Sequence, residues 1–376
     1  MSPAFAPGVR REELSAPARP GLRTGVPAFI GLAADGPFAE PVELVRRADF
    51  AGAFGGPVTG GYLGAAVNAF FRNGGERCVV VRMDEAADGE ARKHALSEGL
   101  DAAARVETVD LVCVPDLARG VTGDAGTVAR AVAALQAHVL EHCDRTGDRM
   151  ALLDSAPGAS PDDVLAQRGL LGGTNGALYY PWVVADDGRG RVPPCGHVAG
   201  VYARGDARIG VHKAPANERL DGVLDVETLL DDAGHARLND QGVNCIRAFP
   251  GRGIRVWGAR TVADDEAWRY VNVRRVVLTL RRWMALNLAA MAFEPSTPLL
   301  WARIGREVSA YLAEQYRRGA LRGRSAEEAF YVRCDASLNP AEVRELGMVV
   351  TEVGLAPLVP GEFVVVRFTQ GRGNRE

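Results

Sequence analysis

The residues best spaced for chemistry are His138-Val139-Leu140-Glu141-His142, inside a run whose apolar periodicity predicts a helix over 127–144. This is an H-x-x-E-H pattern. Two histidines four apart on a helix share one face and could hold a divalent cation, and the glutamate could serve as a general base. A zinc-dependent hydrolase using His138, Glu141 and His142 is therefore the alternative function. It also needs a third ligand and an open cleft, and no downstream Asp or Glu is singled out by spacing. The plain reading is a polar helix face that carries two histidines by chance. Gly172-Gly173-Thr174-Asn175-Gly176 could cradle an anion through backbone N–H groups. It has no P-loop lysine, and no G-x-G-x-x-G follows the first strand, so it reads as a loop. Asp116 and Asp154 fall at strand ends, where α/β enzymes place functional groups, but no nucleophile or histidine pairs with them by spacing. Ser155 lacks the G-x-S-x-G elbow. These residues assign no catalytic, cofactor-binding or metal site, and the expectation is a protein that is not an enzyme and uses no cofactor.

The elements that would carry these residues alternate. Strands are expected at 26–33, 41–44, 77–83, 110–115, 149–154 and 177–185. Helices are expected at 48–54, 62–73, 88–104, 127–144, 160–168 and 195–208, with Ser160 as N-cap and Pro161 at N1 of the fifth. Strands separated by helices imply βαβ units and a mostly parallel sheet. The polar stretch 238–244 reads as a boundary. Beyond it come a Pro-Gly turn, an amphipathic helix at 273–291 and a helix at 298–318 with Thr297 as N-cap. Strands follow at 329–334, 348–355 and 362–368. The last is almost continuously apolar, which predicts burial of both faces. The fold class is an α/β core, its sheet mostly parallel or mixed and flanked by helices, plus an α+β C-terminal subdomain and extended terminal arms. The expected divisions are an arm at 1–25, the core at 26–240, the C-terminal subdomain at 241–360, and an arm strand with polar tail at 361–376.

Composition narrows the class without naming it. The chain has 376 residues, enough for a large core and two subdomains. A net charge of −3 gives no general attraction to nucleic acid or anionic membrane. Lysine occurs only at Lys93 and Lys213, so nearly every cation is an arginine, a side chain suited to forked contacts at interfaces. No apolar run is long enough to span a bilayer, and the first residues carry prolines and charges where a signal peptide has its apolar core. Cys78, Cys113, Cys143, Cys195, Cys245 and Cys334 are scattered without C-x-x-C, as expected of free thiols in a reducing compartment.

The most distinctive stretch is 245–275, CIRAFPGRGIRVWGARTVADDEAWRYVNVRR. Phe249-Pro250-Gly251-Arg252-Gly253 has the composition of a tight turn, and Ile254-Arg255-Val256-Trp257 alternates like a strand. Gly251, Arg252, Gly253, Trp257, Gly258, Ala259, Arg260, Thr261, Trp268, Asn272, Arg274 and Arg275 resemble the signature of the contractile tail sheath family. LWARIGREVSAYL…GALRG…EEAFYVRCD, VGLAPLVPGEFVVVRF and PVELV…DFAGAFG…YLGAAVNAFFRNGGERCVVVRM resemble the same family. The resemblance runs from about Pro7 to Phe368. It implies a structural subunit that stacks in hexameric rings around an inner tube, with baseplate and terminator partners. It also implies contraction, a bacterial assembly site and a phage tail or phage-tail-like particle. The modest length implies a sheath with little decoration. Arm strands at Pro7-Gly8-Val9 and at Phe363, Val364, Val365, Val366 and Phe368 would join neighbours by strand addition. Arg317, Arg318, Arg322 and Arg324 form a basic cluster that could face the tube.

Overall fold

In a computed structural model, the residues described are 22–85, 89–358 and 364–371, without the side chains of 292 and 293. In chain order the elements begin β1 (Pro27–Gly31), β2 (Pro41–Leu44), α1 (Asp49–Phe54), α2 (Leu63–Arg72), β3 (Cys78–Arg82) and α3 (Gly89–Ala104). They continue with β4 (Leu111–Cys113), α4 (Ala125–Thr146), β5 (Met150–Asp154), α5 (Pro161–Gly169), β6 (Gly176–Tyr180), β7 (Val183–Ala185), β8 (Gly190–Val192) and α6 (Cys195–Arg208). Then come β9 (Glu218–Arg219), β10 (Val223–Val226), α7 (Asp232–Asp240), β11 (Val243–Phe249) and β12 (Gly253–Trp257). The C-terminal part holds α8 (Val271–Asn287), α9 (Pro298–Arg317), α10 (Ala326–Ala329), β13 (Phe330–Arg333), α11 (Ala341–Glu345), β14 (Met348–Leu355) and β15 (Val364–Gly371).

The large sheet runs β2-β3-β1-β4-β5-β6-β11-β12-β9. Its six middle strands, β3 to β11, are parallel; β2, β12 and β9 are added antiparallel at the edges. Side chains alternate between its two faces, so each face builds its own core. Ala28, Ile30, Val79 and Val81 pack with α3 and α4 on one side. Phe29, Cys78 and Val80 pack with α2 and α6 on the other. The second layer is unusually close because Gly196 and Gly200 bring α6 onto α2. A Cβ at Gly196 would lie 2.3 Å from the Ala66 carbonyl oxygen. A third core, separate from both, joins α8, α9 and the sheet β13-β14-β15 through Trp283, Trp301, Ile304, Val308, Val353 and Phe368.

Several sequence expectations change. The core does not stop at 240: β11 and β12 belong to the large sheet, so the sheet runs on to Trp257. The polar stretch taken as a boundary is the end of α7 and the turn into β11. The run 177–185 is two strands in two sheets, because Pro181 cannot donate to a ladder and the chain turns there. Within the single chain the last strand buries one face. Val364 and Phe368 are buried, whereas Val365 is 50% exposed. Residues 22–25, expected to be part of a free arm, are already held by the body: Leu22 packs on the C-terminal core and Gly25 N–H donates to Asp110.

Candidate assembly interface and signature segment

The signature residues form a stiff corner between the large sheet and α8. Gly251 and Gly253 have φ of 70° and 75°, which lets the chain reverse between β11 and β12. Arg252 donates to Asn217 Oδ1 at 3.1 Å and lies over the Phe249 ring, which packs on Trp257 at 4.6 Å between centroids. Past β12, Asn244 clamps the corner from behind. Its Oδ1 accepts from Arg260 N–H at 2.6 Å and its Nδ2 donates to the Arg260 carbonyl at 2.7 Å. Gly258 is required there, since a Cβ would lie 2.7 Å from Asn244 Oδ1 and 2.9 Å from its Cα. Ala259 accepts from Val271 N–H at 3.0 Å, and Thr261 Oγ1 donates to the Trp268 carbonyl at 2.6 Å, so the loop closes on the start of α8. Arg274 stacks on Trp268 at 4.4 Å and donates to Asn175 Oδ1 at 2.6 Å, while Asn272 is buried.

Arg275 is the deepest of the set. It makes a fork to Asp206, at 2.8 and 2.6 Å, and a third bond to Asp110 at 2.9 Å. Its guanidinium lies over the Tyr202 ring at 4.9 Å, and Tyr202 shares a 2.7 Å hydrogen bond with Tyr179. Burial lowers the affinity of this guanidinium for its proton, but Asp206 and Asp110 outweigh that and hold it above its ordinary range. Burial raises the Asp206 carboxyl, and Arg275 opposes the rise. Asp110 and Asp206 were not legible as partners, because they lie 165 and 69 positions from Arg275.

The H-x-x-E-H residues His138, Glu141 and His142 do line one groove, together with Ser97, Asp101 and Arg145. His138 Nε2 is 2.7 Å from Ser97 Oγ and its Nδ1 is 3.7 Å from Glu141, whose side chain is 80% exposed. His142 is buried beside Arg145, its Nε2 has no partner, and burial with Arg149 and Arg145 lowers its pKa to about 4. A cation would face two arginines there. Among the described residues no group of three His, Cys, Asp or Glu could hold a metal ion. Asp116 accepts from Leu32 and Tyr62 N–H at 2.8 and 2.6 Å, and Asp154 from Cys195 N–H at 2.8 Å. Both strand-end carboxylates therefore cap backbone. Asp144 caps the glycine loop at Thr174.

Of the basic cluster, Arg317 and Arg318 both pair with Glu314, and Arg324 N–H donates to Glu328. Arg322 N–H donates to the Ala356 carbonyl. On the arm strands, Val364, Val365, Val366 and Phe368 lie in β15 and pair with β14 of their own chain. One edge of β15 carries no partner strand among the described residues. Pro7, Gly8, Val9 and Phe363 lie outside the described residues.

A stiff corner between two cores, with a small sheet whose β15 edge is unpartnered among the described residues, is the architecture of a building block. A model of the phage tail sheath protein central domain matches residues 89–262. A helical sheath of the anti-feeding prophage in its contracted state is 32% identical, with a TM-score of 0.75, over 98% of this chain and 99% of that one. The chain of a six-fold symmetrised anti-feeding prophage baseplate structure is 31% identical, with a TM-score of 0.75, over 98% and 99%. A putative prophage major tail sheath protein of Pseudomonas aeruginosa (strain UCBPP-PA14) is 23% identical over 86% of this chain and 83% of the relative. The chain belongs to the contractile tail sheath family and is a structural sheath subunit.

Proposed function

We propose that this subunit polymerises as stacked hexameric rings around an inner tube, and that the sleeve shortens to drive the tube through a target envelope. The observation that carries this reading is the match along 98% of the chain to a contracted helical sheath. Six-fold stacking and a baseplate partner are supported by the likeness to a chain of a six-fold symmetrised baseplate. A terminator at the other end, assembly in the bacterial cytoplasm and release of the particle from the cell complete the proposal.

Neighbours are joined by strand addition at the β13-β14-β15 sheet. Pro7-Gly8-Val9 of one copy and the segment from Phe363 to Phe368 of another supply the strands. In the single chain β15 pairs with its own β14, so assembly either exchanges β15 or adds a strand at an open edge. Each added backbone bond contributes about 0.5–1.5 kcal/mol net, so a strand is firm yet reversible. Contraction is then a shift of nearly rigid bodies between two packings, with the arm strands holding the mesh together. Arg317, Arg318, Arg322 and Arg324 face the tube in this proposal, with Glu314 reducing their net charge.

The strand reading is tested by deleting residues 362–376. The intact chain should form sleeves seen by sedimentation and electron microscopy, and the shortened chain should stay small. Normal sleeves from the shortened chain would overturn the role of β15 and leave the sheath itself standing.

A further inference from the structure

The signature helix and the root of the N-terminal arm meet at one buried carboxylate. Asp110 Oδ1 accepts from Val26 N–H at 2.7 Å, and Oδ2 accepts from Gly25 N–H at 3.0 Å and from Arg275 at 2.9 Å. Two turns further along α8, Arg282 donates to the Arg23 carbonyl at 3.1 Å and to the Glu107 and Thr108 carbonyls at 3.2 and 2.9 Å, and lies 3.9 Å from Asp110. Asp110, Asp206, Arg275 and Arg282 are each buried, with side-chain exposures of 4–6%. Two carboxylates against two guanidiniums leave the cluster neutral, and the polar backbone of residues 23–26 is part of what satisfies it.

We infer that Asp110 is the hub of a latch that fixes where the N-terminal arm leaves the body and locks that point to α8. The inference rests on the arm-exchange reading above for its purpose. Residues 23–26 bond to Arg282 of α8, to Asp110 just before β4 and, through Thr24, to Asp206 of α6, so the arm root and α8 share the same buried charges. The other end of α8 enters the C-terminal core through Trp283 and Met284. Tension on an arm held by a neighbour would then reach the β13-β14-β15 unit through α8. The second route, through the ladder of the large sheet, starts at Val26, whose carbonyl accepts from Asp110 N–H at 3.1 Å and Leu111 N–H at 3.4 Å. Such a latch suits a subunit that must move as one body while its arm is pulled. Breaking either charge strands the other in a dry site, and this makes the latch all-or-none.

The test is amide hydrogen exchange on the full chain and on two variants. Asp110→Asn keeps the shape and removes the charge. Arg282→Lys keeps a charge near Asp110 and loses the fork to the three carbonyls. In each variant exchange at Gly25 and Val26 should rise by about tenfold or more, with a matching rise over residues 275–284, while β4 and β5 keep the parent's protection. Faster exchange at the arm root with α8 unchanged overturns the coupling. No change at either place overturns the latch, and uniform acceleration that includes β4 and β5 reduces it to ordinary core stability. Should Asp110→Asn fail to fold, Arg282→Lys decides alone. Exchange is read on the chain itself, so failure of the parent to build sleeves would count against the sheath reading and leave this result intact.

Discussion

Arg275 converts a sequence signature into a measurable stability. Replacing it with Leu leaves Asp206 and Asp110 buried without their shared cation, a change that costs about 3–5 kcal/mol. The midpoint of urea unfolding should fall accordingly, and a variant that melts like the parent would contradict the role given to the pair. Gly258→Ala acts by crowding: the new methyl meets Asn244 Cα at 2.9 Å, backbone that cannot swing away. A loss of about 1–3 kcal/mol is expected from the same unfolding curve. Two of the buried histidines, His142 and His197, set a pH window, and His212, lowered by burial, adds in the same sense. Burial, with Arg149 and Arg145 adding, lowers His142 to about 4, and burial with Arg72 lowers His197 to about 4. An unfolded histidine takes its proton near pH 6.5. Between about 6.5 and 4 the unfolded chain therefore binds protons the folded chain refuses, and stability falls as pH falls. Above 6.5 neither histidine contributes to the slope. Asp154, raised to about 7 by burial, works in the opposite sense as pH rises towards 7, so comparison of variants isolates the histidine effect. His142→Leu should lose less stability than the parent between pH 7 and 5, and equal slopes would rule the histidine out. Sequence could name Arg275 and Gly258 as special. It could not name Asp110, Asp206 or Asn244, because only the sheet order brings these distant positions together.

At the scale of elements, β15 separates what stabilises the chain from what joins chains. Phe368 is buried against the C-terminal core, while Val365 on the same strand is half exposed. Phe368→Ala should lower stability by about 3–5 kcal/mol, whereas Val365→Ala should change it by less than about 0.5 kcal/mol. Equal losses on thermal melting would mean that both faces of β15 pack within one chain. Most core strands are legible in the sequence because β1, β3 and β5 are short apolar runs between turn signals, and the helix expected at 195–208 is α6. α7 escaped notice because only Leu238 of its nine residues is buried, leaving almost no apolar period to detect. β8 lies in a polar Gly/Pro segment that reads as loop, and β6 and β7 read as one strand because apolar and aromatic residues continue on both sides of Pro181. The boundary failed for a related reason: polarity marks the surface, and α7 is a surface helix of the core.

The described residues form one large sheet with two cores, a small sheet β10-β7-β8 beside it, and a smaller C-terminal unit with a third core, linked by α8, whose Val271 and Leu278 sit in the second core and whose Trp283 sits in the third. That arrangement suits a subunit that transmits force, with a stiff body, a stiff lever and strands at the periphery. Its family was legible in the sequence through the 245–275 stretch, whereas its intramolecular pairing of β15 was not. The most direct test is to label this chain in the cells that make it, isolate the tail-like particles and examine them by electron microscopy. The label should decorate the outer sleeve in six-fold rows, in long narrow sleeves and in short wide ones. A label absent from every sleeve, with the chain recovered only as a soluble monomer, would contradict the account.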